Sequence, residues 1–215
     1  MEQKIILFQG DSITDADRSR TDENNAGCGY PTLVKGHLGA ANPYAYKFYN
    51  RGIGGHRVVD LYARIKTDMI NLKPDYMSIL VGINDVWHEV LINNGVDAGK
   101  FEMVYDLMIR ELLEALPNLK LMLLEPFVLP GSGTRSDAEN PGRWEYFRRE
   151  TDLRAAVVKR LAEKYNLVFV PLQAMFDKVN ADAPGDGYWL IDGVHPTAAG
   201  HELIKGAWLE AFEKL

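Results

Sequence analysis

Lys4-Ile5-Ile6-Leu7-Phe8-Gln9-Gly10-Asp11-Ser12-Ile13-Thr14-Asp15 is the stretch on which the fold turns. Its apolar run, residues 5–8, lacks the polar alternation of a half-exposed strand, which is the pattern of a strand covered on both faces. Gly10 ends it, and Asp11 and Ser12 are residue types that open turns and helices. Four similar runs follow. Residues 47–50 end before the glycines at 52, 54 and 55, and residues 76–81 end at Gly82. Residues 119–124 are closed by Pro126 and residues 167–170 by Pro171.

Helical periodicity fills the gaps. Val58, Leu61, Ile65, Met69 and Leu72 recur near every 3.6 residues and predict a helix over 58–72. The same spacing predicts helices over 101–116, over 147–165 (Leu153, Val157, Leu161, Tyr165) and over 197–215. Strands alternating with helices imply a parallel sheet with right-handed crossovers. The expected fold class is α/β, a three-layer α/β/α sandwich of the flavodoxin-like kind with about five parallel strands. The length of 215 residues suits a single domain spanning 1–215.

Composition narrows the function. The formal net charge is −6 with no basic stripe, which argues against a nucleic-acid partner. Cys28 is the single cysteine, so an internal disulfide and a cysteine zinc site are excluded; it reads as a small buried or loop residue. No run approaches the roughly 18 apolar residues of a membrane span, and the N-terminal apolar stretch is too short for a signal peptide. The expectation is a cytoplasmic protein that does not act on membranes.

In an open parallel sheet the ligand lies beyond the carboxyl ends of the strands. Polar, glycine-rich clusters follow several of the runs: Gly10 to Asp15, Asn50 to Gly55, Gly82 to Asp85, and Asp192-Gly193-Val194-His195-Pro196 after the last. A serine hydroxyl needs a base to take its proton, histidine suits that task near neutral pH, and a carboxylate fixes the imidazole. Ser12, His195 and Asp192 can supply those three parts. Acyl transfer also needs donors for the developing oxyanion. The Ser12 N–H, a backbone N–H at Gly54-Gly55 and the Asn84 amide are candidates.

GDSITD at 10–15, NRGIGG at 50–55, GIND at 82–85 and DGVHP at 192–196 resemble, in order and spacing, the four blocks of the SGNH (GDSL-type) hydrolases. The resemblance implies Ser12 as nucleophile, His195 as base and Asp192 as its orienter. It implies an oxyanion hole of the Ser12 N–H, the Gly55 N–H and the Asn84 amide; Gly55 is preferred to Gly54 because it lies five residues after Asn50. No G-x-S-x-G elbow is present. GDSITDADR, GYP at 29–31, GINDVW at 82–87 and HPTAAGH at 195–201 are further similar to bacterial acetylxylan esterases of that superfamily. These remove acetyl groups from xylo-oligosaccharides without metal or other cofactor and are often homo-oligomers.

Around this core the candidate substrate contacts are Asp11, Trp87, Tyr30, His56 and Trp189. Asp11 could equally organise the turn before the nucleophile, and Trp87 could stack on a sugar or pack its loop. Residues 126–145, rich in Pro, Gly and charge, are too long for a plain connector and are expected at the pocket mouth or an oligomer contact. The leading reading is a serine esterase acting on short acyl esters of carbohydrates. A lysophospholipase or acyl thioesterase with the same triad is the enzymatic alternative. A non-catalytic glycan-binding or assembly subunit is the third, disfavoured because Ser12, Asn84, Asp192 and His195 are all present.

Overall fold

The apolar runs form a five-stranded sheet in the computed structural model, which describes residues 3–183 and 185–215. The strands are β1 (Lys4–Gly10), β2 (Tyr46–Asn50), β3 (Tyr76–Leu80), β4 (Lys120–Leu124) and β5 (Val168–Val170). Every pairing is parallel and the order is β2-β1-β3-β4-β5. Ile6 pairs with Phe48 on one side and Tyr76 on the other.

Because strand side chains alternate in direction, each strand feeds two cores. Ile6, Phe8, Leu80, Met122 and Leu124 point into one; Leu7, Met77, Ile79, Leu121 and Leu123 point into the other. The first core is closed by α2 (Tyr30–Ala41), α8 (Gln173–Ala181) and α9 (Ala198–Phe212); the second by α3 (Val58–Ala63), α6 (Ala98–Ala115) and much of α7 (Arg143–Lys164). Phe8 is fully buried, with its ring 5.8 Å from that of Tyr30 and 5.4 Å from that of Trp208. Burial of such a side chain contributes about 2–3 kcal/mol.

A helix begins at Ser12 as expected, α1 (Ser12–Asp15), whereas α2, α5 (Ile83–Ile92) and α8 were hidden in the sequence. The helix expected over 58–72 is instead three pieces, α3, α4 (Ile65–Asp68) and a 3-10 turn at Ile70–Leu72. Val58, Leu61, Ile65 and Met69 are nonetheless buried on one side as the periodicity requires. The break falls at Arg64, whose guanidinium reaches the Arg51 carbonyl at 2.7 Å, the Gly10 carbonyl at 3.2 Å and Asp68 at 2.8 Å. Among the described residues no helix is long and apolar enough to cross a membrane.

Candidate active site

The carboxyl ends of the strands converge where β1 separates its two neighbours. Asp11 caps α1, its Oδ1 accepting the Ile13 N–H at 3.0 Å, and Ser12 is the first residue of that helix. The Ser12 Oγ lies 2.9 Å from His195 Nε2, and His195 Nδ1 lies 2.7 Å from Asp192 Oδ2. The Asp192 Oδ1 accepts the Val194 and His195 N–H groups at 2.9 and 2.8 Å, so the carboxylate is held by the turn it belongs to. The turn is pinned at its base by the Ile191 N–H donating to the His195 carbonyl at 2.7 Å. Pro196 and the Thr197 N-cap then start α9.

The charges follow from these contacts. Burial alone would raise the Asp192 pKa, but hydrogen bonds from the His195 ring and from the two backbone N–H groups pull it down to about 2. The Asp192 carboxylate holds the His195 pKa above its ordinary value, against the opposing effect of burial. A hydroxyl, an imidazole and an ionised carboxylate in this order can move a proton off Ser12 near neutral pH.

The glycine loop lies against the Ser12 turn, a Cβ on Gly54 falling 3.8 Å from the Ser12 Cβ. Ile53 to His56 form a turn closed by the His56 N–H on the Ile53 carbonyl at 3.2 Å, with Gly55 at φ +79°. The Gly54 N–H is taken by Asp15 Oδ2 at 3.0 Å, whereas the Gly55 and Ser12 N–H groups make no hydrogen bond within the described residues. The Asn84 amide, on the first turn of α5, donates one hydrogen to the His56 carbonyl at 3.1 Å and keeps its second. A cavity of about 350 Å³ opens beside Ser12, bordered by Asp15, Gly54, Ile191, His195 and His201. A second cavity of equal size, at Ile70, Pro74 and Leu116, holds no nucleophile and base.

The profile of the GDSL-like lipase/acylhydrolase family matches residues 8–203. The chain belongs to that family. It is 37% identical over 212 residues to the acetylxylan esterase of Geobacillus stearothermophilus, covering 95% of this chain and 91% of that one. The crystal structure of that esterase superposes with a TM-score of 0.83 at 34% identity, over 97% of this chain and 93% of the other. A GDSL-like lipase structure from Parabacteroides merdae gives 0.89 at 34% identity, over 98% and 95%. The α/β hydrolase enzyme from the metagenome of Lake Arreo, Spain, gives 0.82 at 30%, over 97% and 94%.

Of the residues expected from the sequence, this GDSL-family chain brings Ser12, Asp192, His195, Gly55 and Asn84 to one place. Several expected substrate contacts are corrected. Tyr30 is fully buried, its hydroxyl 3.1 Å from Thr14 Oγ1, because α2 carries it into the first core. Trp189 does not border the cavity; its indole N–H donates to the Val179 carbonyl at 3.1 Å and ties the loop to α8. Asp11 is wholly buried under α1, where the loss of hydration pushes its pKa up to about 7 against the Ile13 N–H and the His195 charge; it shapes the turn and cannot touch a ligand. His56 works through its carbonyl on Asn84, and its Nδ1 accepts from Arg64 at 3.2 Å. Trp87 packs on Phe147 and flanks the His195 ring, 6.2 Å away. Cys28, expected to be buried or in a loop, is an exposed loop residue at the cavity rim.

Three contributors escaped the sequence reading, and a fourth, His201, reads from the sequence as a structural histidine. Asn50 joins three segments by its amide: Nδ2 donates to the Thr14 carbonyl at 2.6 Å and the Ala26 carbonyl at 2.9 Å, and Oδ1 accepts the Gly52 N–H at 2.9 Å. Its signal was present, since an asparagine two residues before a glycine is an Asx-turn pattern. Asp15 fastens Gly54 and pairs with Arg20. His201 borders the cavity, and its Nδ1 accepts the Tyr30 N–H at 3.1 Å while burial lowers its pKa to about 4. Thr134 belongs to residues 126–145, and nothing local in the sequence marks it.

Proposed function

We propose that the protein is a serine esterase that removes acetyl groups from carbohydrates, acetylated xylo-oligosaccharides being the substrate class. The observation that carries this is the chain Ser12 Oγ to His195 Nε2 to Asp192, at 2.9 and 2.7 Å. Ser12 Oγ attacks the acetyl carbonyl while His195 takes its proton. The oxyanion is met by the Ser12 and Gly55 N–H groups and the free hydrogen of the Asn84 amide. Collapse expels the sugar hydroxyl, which takes the proton from His195 and leaves acetyl-Ser12. Water then gives its proton to His195 and attacks the acyl carbon. Acetate leaves, and Ser12 regains its hydrogen. Asp192 stays ionised and steadies the imidazolium.

Acetyl specificity is favoured by the carboxylates of Asp15 and Asp17 at the border of the cavity, which would be poor neighbours for a long acyl chain. The carbohydrate reading draws on the similarity to the Geobacillus enzyme. In this reading residues 1–215 act as one hydrolase domain, without metal or other cofactor, in the cytoplasm and as a homo-oligomer. Hydrolysis of p-nitrophenyl esters from acetate to decanoate, with Ser12→Ala as the blank, tests it. Acetate should be fastest and Ser12→Ala inert. A rate climbing with chain length would replace the acetyl reading with a lysophospholipase or thioesterase, and an active Ser12→Ala would remove the serine mechanism.

A further inference from the structure

Residues 126–134 run from the end of β4 toward the turn that carries Asp192 and His195. Phe127, Val128, Leu129 and Thr134 are all buried, so this part of the segment packs into the body of the protein. Two backbone bonds join it to the turn. The Leu129 N–H donates to the Gly193 carbonyl and the Gly133 N–H to the Asp192 carbonyl, both at 2.9 Å. The Thr134 hydroxyl donates to the Leu129 carbonyl at 2.6 Å, which folds the segment back on itself against the turn. Gly193 has φ +98°, and a Cβ there would collide with the Thr134 hydroxyl and the Leu129 carbonyl. The segment also backs Trp87. A Cβ at Gly133 would lie 2.6 Å from the indole, which in turn flanks the His195 ring.

The carboxylate of Asp192 is thus held from inside its turn by two N–H groups, while the main chain of the same turn is held from outside by residues 129 and 133. We propose that residues 129–134 are the outer brace of the acid–base turn, with Thr134 a positioning residue whose hydroxyl keeps the brace in shape. The proposal rests on the serine esterase reading. Thr134 touches neither Ser12 nor the cavity, so its effect must pass through the distance and angle between Asp192 and His195. Displacements of about 1 Å in such a geometry cost on the order of a hundredfold in rate.

The test compares Thr134→Val, which keeps the shape and removes the hydroxyl, with Thr134→Ser, which restores it. Each is read by kcat and KM on p-nitrophenyl acetate, by the pH profile, by thermal melting and by the downfield proton resonance of His195 Nδ1. Thr134→Val should lose on the order of ten- to a hundredfold in kcat with KM unchanged. Its acid limb should move to lower pH, because a loosened Asp192 holds the imidazolium less well. The Nδ1 resonance should shift or broaden, and Thr134→Ser should recover all three. A folded Thr134→Val with wild-type kcat and resonance would overturn the brace. So would a loss shared by both variants in proportion to their unfolded fraction. If Thr134→Val does not fold, Gly133→Ala, which presses on Trp87 and the Asp192 carbonyl, must show the same kcat loss and resonance change or the proposal falls. Should Ser12→Ala prove active, the esterase reading fails on its own, and the resonance still decides the brace.

Discussion

Replacing Asn50 by alanine should cost the fold about 3–6 kcal/mol. The side chain is buried and makes three short bonds, to the carbonyls of Thr14 and Ala26 and to the N–H of Gly52. Each bond is worth about 1 kcal/mol net, but the larger effect is the desolvation of partners left unpaired, about 1–3 kcal/mol each. A water entering the space would recover some of this, which places the expectation at the low to middle part of the summed range. Set against a typical total of about 5–15 kcal/mol, the loss is large. Urea unfolding followed by fluorescence measures it, provided the m-value stays constant. Asn50→Asp sharpens the test. It keeps the acceptor for Gly52 but points a carboxylate at two carbonyls, so it should be at least as damaging as alanine near neutral pH. The three segments tied by Asn50 carry Ser12 and the glycine turn, so the folded fraction of Asn50→Ala should also lose kcat. A loss of stability below about 1 kcal/mol, or an Asn50→Asp protein as stable as wild type, would refute the account.

The pH profile and a buried ion pair give two further expectations. His195 must be neutral to accept a proton, and Asp192 raises its pKa, so kcat/KM should rise with pH through a midpoint above the ordinary imidazole value of about 6.5. Asp192→Asn should lower that midpoint while reducing kcat by about three to four orders of magnitude; an unmoved midpoint would disconnect the two groups. Arg154, buried in α7, bonds Glu150 Oε2 at 2.5 Å and the Val96 carbonyl at 2.6 Å. Arg154→Met should cost about 3–5 kcal/mol by stripping the Val96 carbonyl of its donor and leaving Glu150 with only the weaker Arg149 contact at 3.2 Å, and Glu150→Gln in the same chain should return part of it in thermal melts.

The strands were legible because burial on both faces leaves a continuous apolar run, and Ile6, Leu7 and Phe8 are fully buried. The polar blocks at the strand ends were legible because the topology leaves those ends at one edge. Helix continuity was not. The 58–72 pattern reports which side faces the core, and Val58, Leu61, Ile65 and Met69 do face it, but periodicity carries no information on whether the backbone bonds run unbroken past Arg64. In α5 the turn-like residues Gly82, Asn84 and Asp85 masked a helix. Tyr30 and Trp189 were misplaced because an aromatic near a motif has no direction until the packing of α2 and α8 is known. Thr134 was invisible because its meaning lies in residues 59 positions away, at Gly193.

The strand order sets how far the Asp192–His195 turn must reach to meet Ser12. Ser12 leaves β1 and Asn84 leaves β3, neighbours on either side of the point where the connections diverge, so their mutual placement comes directly from the sheet. Asp192 and His195 follow β5, at the far edge. With adjacent strands about 4.8 Å apart, three spacings separate β5 from β1, a span of about 14 Å that the 182–197 connection must help bridge to bring His195 against Ser12. Among the described residues, that connection has no ladder of its own beyond the Leu190 and Pro196 bridge. Of the two strands between, β3 and β4, it is β4 whose following residues supply the bonds from Leu129 and Gly133. The Ser12 side of the site is therefore tied to the sheet and to Asn50. The Asp192 and His195 side is tied to residues 129 and 133, which follow β4, and the proposed brace through Thr134 would act at that meeting point.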